Sequence, residues 1–546
     1  MTTARVPTRS SLEASVAAVA SSVDGRRFTF QWSIHDLSVK VGGYASLDGR
    51  LGQVHAVEAA WVEGAALIAA VTEEVTDASH LRIALARGHG VLLEGDGTPF
   101  HDVPIARADA TSVAGWLDRT RPRRTSLDVG ELALRPGVRF GLDAGGFDRH
   151  TFFCGQSGSG KTYALGTILE QLLLQTSLRL IVLDPNSDFV RLGEPREGIE
   201  EDVASRYRQA ADGVVVRTVG HGPERLHVRF RDFDPVEQAA VLRLDPIRNR
   251  DEYGALVEIL ESGLTSPFTT AGDLAERLAT AEGAEFRALA KRIRNLGLHR
   301  WPVWSVDDPG SLQDLVARGG PRGLIVDLGS LESAAEKAIA AEAVLAALWR
   351  RRAEREPVLI VIDEAHNVCP REPGDEVTAL ATEHAARIAA EGRKFGLYLL
   401  VSTQRPHRVN DLVVSQCDNL VLMRMTSAGD LAYVADTLSF APPALLQEAT
   451  AFRMGESLVA GKIASHPAFV RFGPRLSEEG GSDVPATWAG LDAGKVTPRL
   501  SGERPSSPNI AQTTVGRQAW STARNTEHAP TRITTPRYAV VAPEAS

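Results

Sequence analysis

The sequence predicts an α/β chain in which a doubly wound, mostly parallel sheet with a helical insertion follows a small antiparallel β-barrel. Two observations predict the core. Short, continuously apolar runs alternate with helical stretches from His150 onward, and the first of these runs meets a glycine-rich loop that opens an amphipathic helix. A third predicts the barrel: ahead of that core, apolar and polar residues alternate with period two, broken by Gly and Asp turns.

Composition bounds the class. The 546 residues are 43% hydrophobic and 24% charged, ordinary for a globular chain of two or three domains. The net charge of -9 gives no bulk attraction for nucleic acid or an anionic membrane, so any DNA contact needs a local basic lining. Cys154, Cys369 and Cys417 are too far apart for metal-ligand spacing and too few for a disulfide framework, which favours a reducing compartment. The N-terminal apolar stretch is too short for a signal core, and no later run of about 18 apolar residues could span a bilayer. A soluble, cytoplasmic protein without membrane insertion is expected.

Residues 1–27, rich in Ser and Ala, are expected to be flexible. Over 28–125, RFTFQWSIHD alternates Phe28, Phe30, Trp32 and Ile34 with polar neighbours, and GQVHAVEAAWV, AALIAAVTEEV, LRIALARG and GVLLEG follow as further strands of the barrel. TRPRRTSLDVGELALRPG reads as a connector into a core over 126–473. There, RLIVLDP, GLIVDLG, PVLIVIDE, LYLLVSTQ and NLVLMRM have the composition of strands buried on both faces. After the glycine-rich loop, Leu165, Ile168, Leu169, Leu172 and Leu173 recur at helical spacing. The segment from about 190 to 315, including EYGALVEILESGL and GAEFRALAKRIRNLGL, reads as a helical insertion, and MGESLVAGKIASHPAFVRFG as a hairpin returning to the sheet. Residues 474–546 are rich in Ser, Thr, Pro and Gly and are expected to be disordered.

The loop GQSGSGKT, Gly155, Gln156, Ser157, Gly158, Ser159, Gly160, Lys161 and Thr162, matches the phosphate-binding pattern. Its glycines let the backbone wrap phosphates, and amides at the start of the next helix face the anion. Lys161 would reach the β and γ phosphates of ATP, and the Thr162 hydroxyl would ligate Mg2+. Asp363, ending the apolar run of PVLIVIDEAH, would complete the metal site, and Glu364 would orient and polarise the attacking water. An acidic pair at a strand end can also be a helix N-cap. A carboxylate beside the metal-binding aspartate favours hydrolysis over transfer to another acceptor.

Asp363 to His366 spells Asp-Glu-Ala-His, the box of helicases with two tandem ATPase lobes. The strand-rich stretch after Gln404 is too short for a second lobe, so His366 is expected near the site or at a helix start. A lone lobe needs a cation from elsewhere to neutralise transition-state charge. Arg149, ahead of the loop strand, and Arg393, in AAEGRKFGLYLL, are candidates at a subunit boundary, although Arg393 and Lys394 would also complement a helix C-terminus. Gln404 and Asp184 lie at strand tips facing the nucleotide crevice, as a γ-phosphate sensor and a weaker site candidate.

GQSGSGKT, LDPNSDF, VIDEAH, EGRKFGLYLLVSTQRP and MGESLVAG together resemble the HerA family of the HerA/FtsK ATPases, over roughly residues 28–473. The resemblance implies a RecA-like P-loop core behind a HAS-barrel-like domain, and a homo-hexameric ring that moves double-stranded DNA with ATP and arginines donated between subunits. By motif position the inter-subunit arginine falls on Arg149, a second site arginine on Arg393 and the strand-tip acid on Asp184. The resemblance also implies a partner nuclease or other effector, in DNA end processing or phage defence. LDPNSDF departs from the family's more usual Asp-Pro-His-Gly form, and the tail is no family hallmark. Two other readings stand beside this one: a nucleotide-gated ring scaffold that regulates an effector, and a peripheral conjugation or secretion motor.

Overall fold

The structure, a computed structural model, describes residues 16–63, 82–121, 125–220, 222, 224–261, 271–304 and 310–481. Six strands, β1 (Val19–Ser22), β2 (Arg27–Ser33), β3 (Tyr44–Leu47), β4 (Arg50–Glu63), β5 (Arg82–Leu92) and β6 (Phe100–Arg107), close a barrel in the order β1-β2-β5-β4-β3-β6. The period-two pattern works as expected in β2, where Phe28, Phe30 and Trp32 turn into the barrel core with Leu47, Val54 and Ile105.

Three expectations here need correction. The flexible N-terminus had been set at 1–27, yet β1 lies inside it and pairs with both β2 and β6, so it closes the barrel. LRIALARG and GVLLEG form the single strand β5 rather than two. The barrel stops at Arg107, and helix α1 (Ala110–Thr120), capped by Asp109, follows it. AALIAAVTEEV lies outside the described residues.

The expected connector is a hairpin. β7 (Ser126–Leu132) and β8 (Arg135–Asp143) bury Leu127, Val129 and Leu132 against Val138, Phe140 and Leu142. They form one edge of an eleven-stranded sheet that continues through β9 (His150–Cys154), helix α2 (Lys161–Gln175), and β10 (Arg179–Asp184). The insertion supplies α3 (Glu201–Ala211), the edge strand β11 (Val214–Arg217), α4 (Pro235–Val241), α5 (Arg250–Glu261), α6 (Ala271–Thr280) and α7 (Ala284–Asn295). β12 (Gly323–Asp327), α8 (Ala334–Arg350), β13 (Val358–Ile362), α9 (Glu376–Glu391), β14 (Leu397–Thr403), β15 (Cys417–Met423), α10 (Ala428–Thr437), β16 (Glu456–Gly461) and β17 (Ala468–Phe472) complete the core.

The sheet order is β11-β12-β10-β13-β14-β9-β15-β16-β17-β7-β8. From β11 to β15 all neighbours are parallel, and beyond β15 they are antiparallel. Alternate residues serve opposite layers. Leu180, Val182, Leu359 and Val361 pack with α2, while Ile181, Leu183, Ile360 and Ile362 pack with α8 and α9. No helix among the described residues is long and apolar enough to cross a membrane.

Residues 474–481, placed by composition in a disordered tail, form a strap across α2. Arg475 and Glu170 are both fully buried, with Arg475 Nε 3.3 Å from Glu170 Oε1. Glu170 also accepts from the Leu476 amide at 2.7 Å, and from the Ser477 amide at 2.8 Å and hydroxyl at 2.6 Å. Gly166 is required here, because a Cβ would lie 2.6 Å from Arg475 Nε. Within these eight residues, Arg475 and Ser477 belong to a buried hydrogen-bonded network. Residues 482–546 lie outside the described residues.

Burial pushes the Glu170 carboxyl above the usual carboxylate range despite these donors and Arg475. Glu170→Ala therefore leaves the buried Arg475 charge with only the more distant Glu479, at 3.9 Å, as an acidic partner, and is expected to lower the unfolding free energy by about 3 kcal/mol. Replacing both residues by Met should recover most of that loss in a urea titration. Equal midpoints for wild type and Glu170→Ala would show that the pair does not hold the strap.

Candidate nucleotide-binding and hydrolysis site

The loop 155–160 runs from the C-terminal end of β9 to the start of α2. Gly158 and Gly160 have φ of 72° and 89°, a left-handed backbone that glycine adopts without strain. A Cβ on Gly155 would sit 2.7 Å from that of Met423, so this glycine is also fixed by packing. The loop is braced from two sides. Gln156 Oε1 accepts from the Thr426 amide and hydroxyl at 3.0 and 2.8 Å, and Arg424 Nη2 donates to the Gly158 carbonyl at 3.1 Å. The Gly455 amide donates to the Ser159 carbonyl at 2.9 Å. Ser157 is exposed and Ser159 buried.

Parallel register places three strand tips beside this loop. β14 lies between β9 and β13, so Ser402, Thr403 and the Asp363-Glu364 pair surround Lys161. Lys161 Nζ donates to Asp363 Oδ1 at 2.7 Å and to Ser402 Oγ at 3.1 Å, and lies 3.0 Å from Glu364 Oε1. Burial opposes its charge, but Asp363 and Glu364 outweigh burial and hold the ammonium above its usual pKa. Glu364 has φ 42° and ψ 50°, a left-handed conformation costing a non-glycine residue about 1–3 kcal/mol. The turn brings its carboxylate back over the strand ends, where His366 Nδ1 is 3.3 Å from Oε2.

Asp184, Asp188 and Asp363 each bring a carboxylate oxygen within 4.8 Å of the others. Burial pushes Asp184 up to about 7, against amide hydrogen bonds from Phe189 and Asp188 and with help from Asp363. Burial and Asp363 push Asp188 up to about 6. Asp363 Oδ2 is buried with no hydrogen-bond partner, and Thr162 Oγ1 reaches Asp188 Oδ2 at 3.4 Å. Crowded oxygen ligands with an unsatisfied carboxylate oxygen fit a hard dication such as Mg2+. Thr162, Asp363 and Asp188 are the residues that would hold it. Asp184 is occupied differently: its oxygens accept from the amides of Asn186, Asp188 and Phe189 at 3.3, 3.0 and 2.8 Å, which folds the loop that presents Asp188.

Gln404 follows β14 directly and is half-buried next to the loop, whose Gly155 amide donates to the Thr403 carbonyl at 3.3 Å. Arg149 and Arg393 are not brought to this site. Arg149 precedes β9, whereas the loop follows it; strand rise puts them about 20 Å apart. Arg393 precedes β14 at that same far end. Both reach Asp418, at 3.5 Å from Arg149 Nε and 2.6 Å from Arg393 Nη1, and each is 38% exposed. The three cysteines are free and buried, and burial pushes each thiol up, Cys369 to about 12.

Sequence reasoning missed Ser402, Arg424 and the role of Asp188. Asp188 stood in the quoted LDPNSDF stretch, four residues past Asp184, and a loop turning back on its first aspartate was the available signal. Ser402 and Arg424 carry no local signal, since strand pairing alone brings them to the loop.

Residues 127–344 match the family model described as the central domain of helicase HerA. The chain is 24% identical over 414 residues to the DNA double-strand break repair helicase HerA of Pyrococcus furiosus, covering 63% of this chain and 69% of that protein. It is 30% identical over 167 residues to the HerA of Sulfurisphaera tokodaii, covering 29% and 33%. Among solved structures, VirB4 of Thermoanaerobacter pseudethanolicus aligns with a TM-score of 0.45 and 16% identity, over 64% of this chain and 96% of that one. With a closed barrel ahead of a doubly wound phosphate-loop core, a Lys161-Asp363-Glu364 cluster at its strand tips, and a match to the HerA central domain over residues 127–344, the chain is a P-loop ATPase similar to the HerA helicases.

Proposed function

We propose that this ATPase assembles as a hexameric ring that drives double-stranded DNA through its centre, using ATP and Mg2+, and works in the cytoplasm with a nuclease or other effector in DNA end processing or phage defence. The observation that carries the ring is the placement of Arg149 and Arg393 at the strand ends remote from the loop of their own chain. A transition-state cation drawn from either of these two positions would come from a neighbouring copy. The names of the Pyrococcus and Sulfurisphaera relatives, both described as DNA double-strand break repair helicases, support the DNA substrate.

The residues divide the work. Lys161, now shared by two carboxylates and Ser402, moves its ammonium to the phosphates when ATP binds, which frees Asp363 and Glu364. Bound Mg2+ supplies charge neutralisation to the phosphate oxygens. Glu364 orients and polarises the attacking water, Gln404 contacts the γ-phosphate side, and Arg149 and Arg393 of an adjoining copy neutralise the charge that develops.

Glu364→Gln is expected to lower ATP hydrolysis by about 10²–10⁴-fold while a fluorescent ATP analogue still binds. Duplex DNA should stimulate the wild-type rate, and a rate indifferent to duplex would defeat the translocase reading. Arg149→Ala alone should lose about 10³-fold or more. Mixing it with Glu364→Gln should restore hydrolysis, because mixed rings contain sites with an intact glutamate and an intact neighbouring arginine. Mixed assemblies that form but stay silent would show that Arg149 does not act between subunits.

A further inference from the structure

Beside the hydrolysis site, a cavity of about 670 Å³ opens between residues 366–372 and residues 405–408. These segments follow β13 and β14, the strands that carry Asp363-Glu364 and Ser402 to Lys161. Two of its basic side chains already have partners: Arg371 pairs with Asp411, and His407 Nδ1 is 2.6 Å from Asp430 Oδ1. Arg405 and Arg408 are exposed, and no partner for either guanidinium is found among the described residues. Glu372 is the one acid in the lining, against Arg371, Arg405 and Arg408, so on a chain that carries -9 overall this concave surface is locally positive.

His366 belongs to both places. It lines the cavity, its Nδ1 is 3.1 Å from Thr403 Oγ1, and the same nitrogen is 3.3 Å from Glu364 Oε2, a buried oxygen that accepts no hydrogen bond. An anion that displaces this ring changes what faces the oxygen of Glu364. Guanidinium groups suit phosphate oxygens, which they can bind in pairs. Lys161 and the glycine-rich loop already provide for the phosphates of ATP, so the cavity is built for a second phosphate-bearing ligand.

We propose that this cavity takes a backbone phosphate of duplex DNA on Arg405 and Arg408, and that His366, as a positioning residue, transmits its occupancy to Glu364. This rests on the reading of the chain as a DNA-driven ATPase. It adds to that reading the residues through which DNA would accelerate hydrolysis.

The test uses the full chain, a fluorescently labelled duplex, and a fluorescent ATP analogue as a check on the nucleotide pocket. Arg405→Ala/Arg408→Ala is expected to bind duplex more weakly irrespective of its sequence, with a slope of log Kd against log salt reduced by about two, while the ATP analogue still binds. His366→Asn should retain duplex and nucleotide affinity but lose the duplex-induced rise in ATP turnover, a ratio that a merely structural role would not move. Wild-type duplex affinity and salt slope in the double variant would overturn the site. So would a selective loss of binding to polyglutamate, which would mark a surface for an acidic protein. Undiminished stimulation in His366→Asn would overturn the link to Glu364. If wild type neither binds nor responds to duplex, the translocase reading fails as well, whereas a responsive wild type with an unaffected double variant removes only this site.

Discussion

The buried ammonium of Lys161 holds the strand tips of this protein together. Asp363 and Glu364 at the end of β13 and Ser402 in β14 converge on one nitrogen at the start of α2, so helix, loop and two strands share a single charge. Two carboxylates this close repel each other, and the lysine between them offsets that repulsion. One ammonium faces two carboxylates, so the acids outnumber the cation that gathers them. The left-handed backbone of Glu364 adds to this tension, holding a buried carboxylate in a conformation that the surrounding packing must sustain.

Parallel strand order explains both where the site is and what it lacks. Every parallel strand from β11 to β15 delivers its C-terminal tip to one side of the sheet and its N-terminal start to the other. The phosphate loop, the acidic cluster and Gln404 gather on the first side. Arg149, Arg393 and Asp418 gather on the second, where both guanidinium groups reach Asp418 and Arg149 also lies 3.3 Å from Asp148 Oδ1. A lobe built in this way keeps its phosphate loop and these part-exposed arginines on opposite sides of the sheet.

Much of the site could be read in the sequence because its chemistry is local. Glycine spacing fixes the loop, the next residue is Lys161, and an apolar strand ending in Asp-Glu announces the acidic pair. What escaped depends on distant partners. Ser402 and Arg424 become site residues only through the pairing of β13, β14, β9 and β15. The strand β1 contributes only four residues, VASS, too short and too polar to show a pattern. The β7-β8 hairpin was hidden by the Pro and Arg residues flanking it, although Leu127, Val129 and Leu132 keep the strand alternation within. Fold class followed from periodicity, whereas boundaries depended on contacts that a linear reading cannot supply.

The strap shows how far the working unit extends. Its Gly480 amide donates to the Asp188 carbonyl at 3.1 Å and its Glu478 amide to the Glu194 carbonyl at 2.9 Å, so it clasps the acidic loop as well as α2. A version of this protein trimmed after the last strand, at Phe472, would expose the floor under Gly166, strand the Glu170 charge, and release the turn that presents Asp188. A piece that keeps the acidic loop clasped therefore extends at least through Gly480.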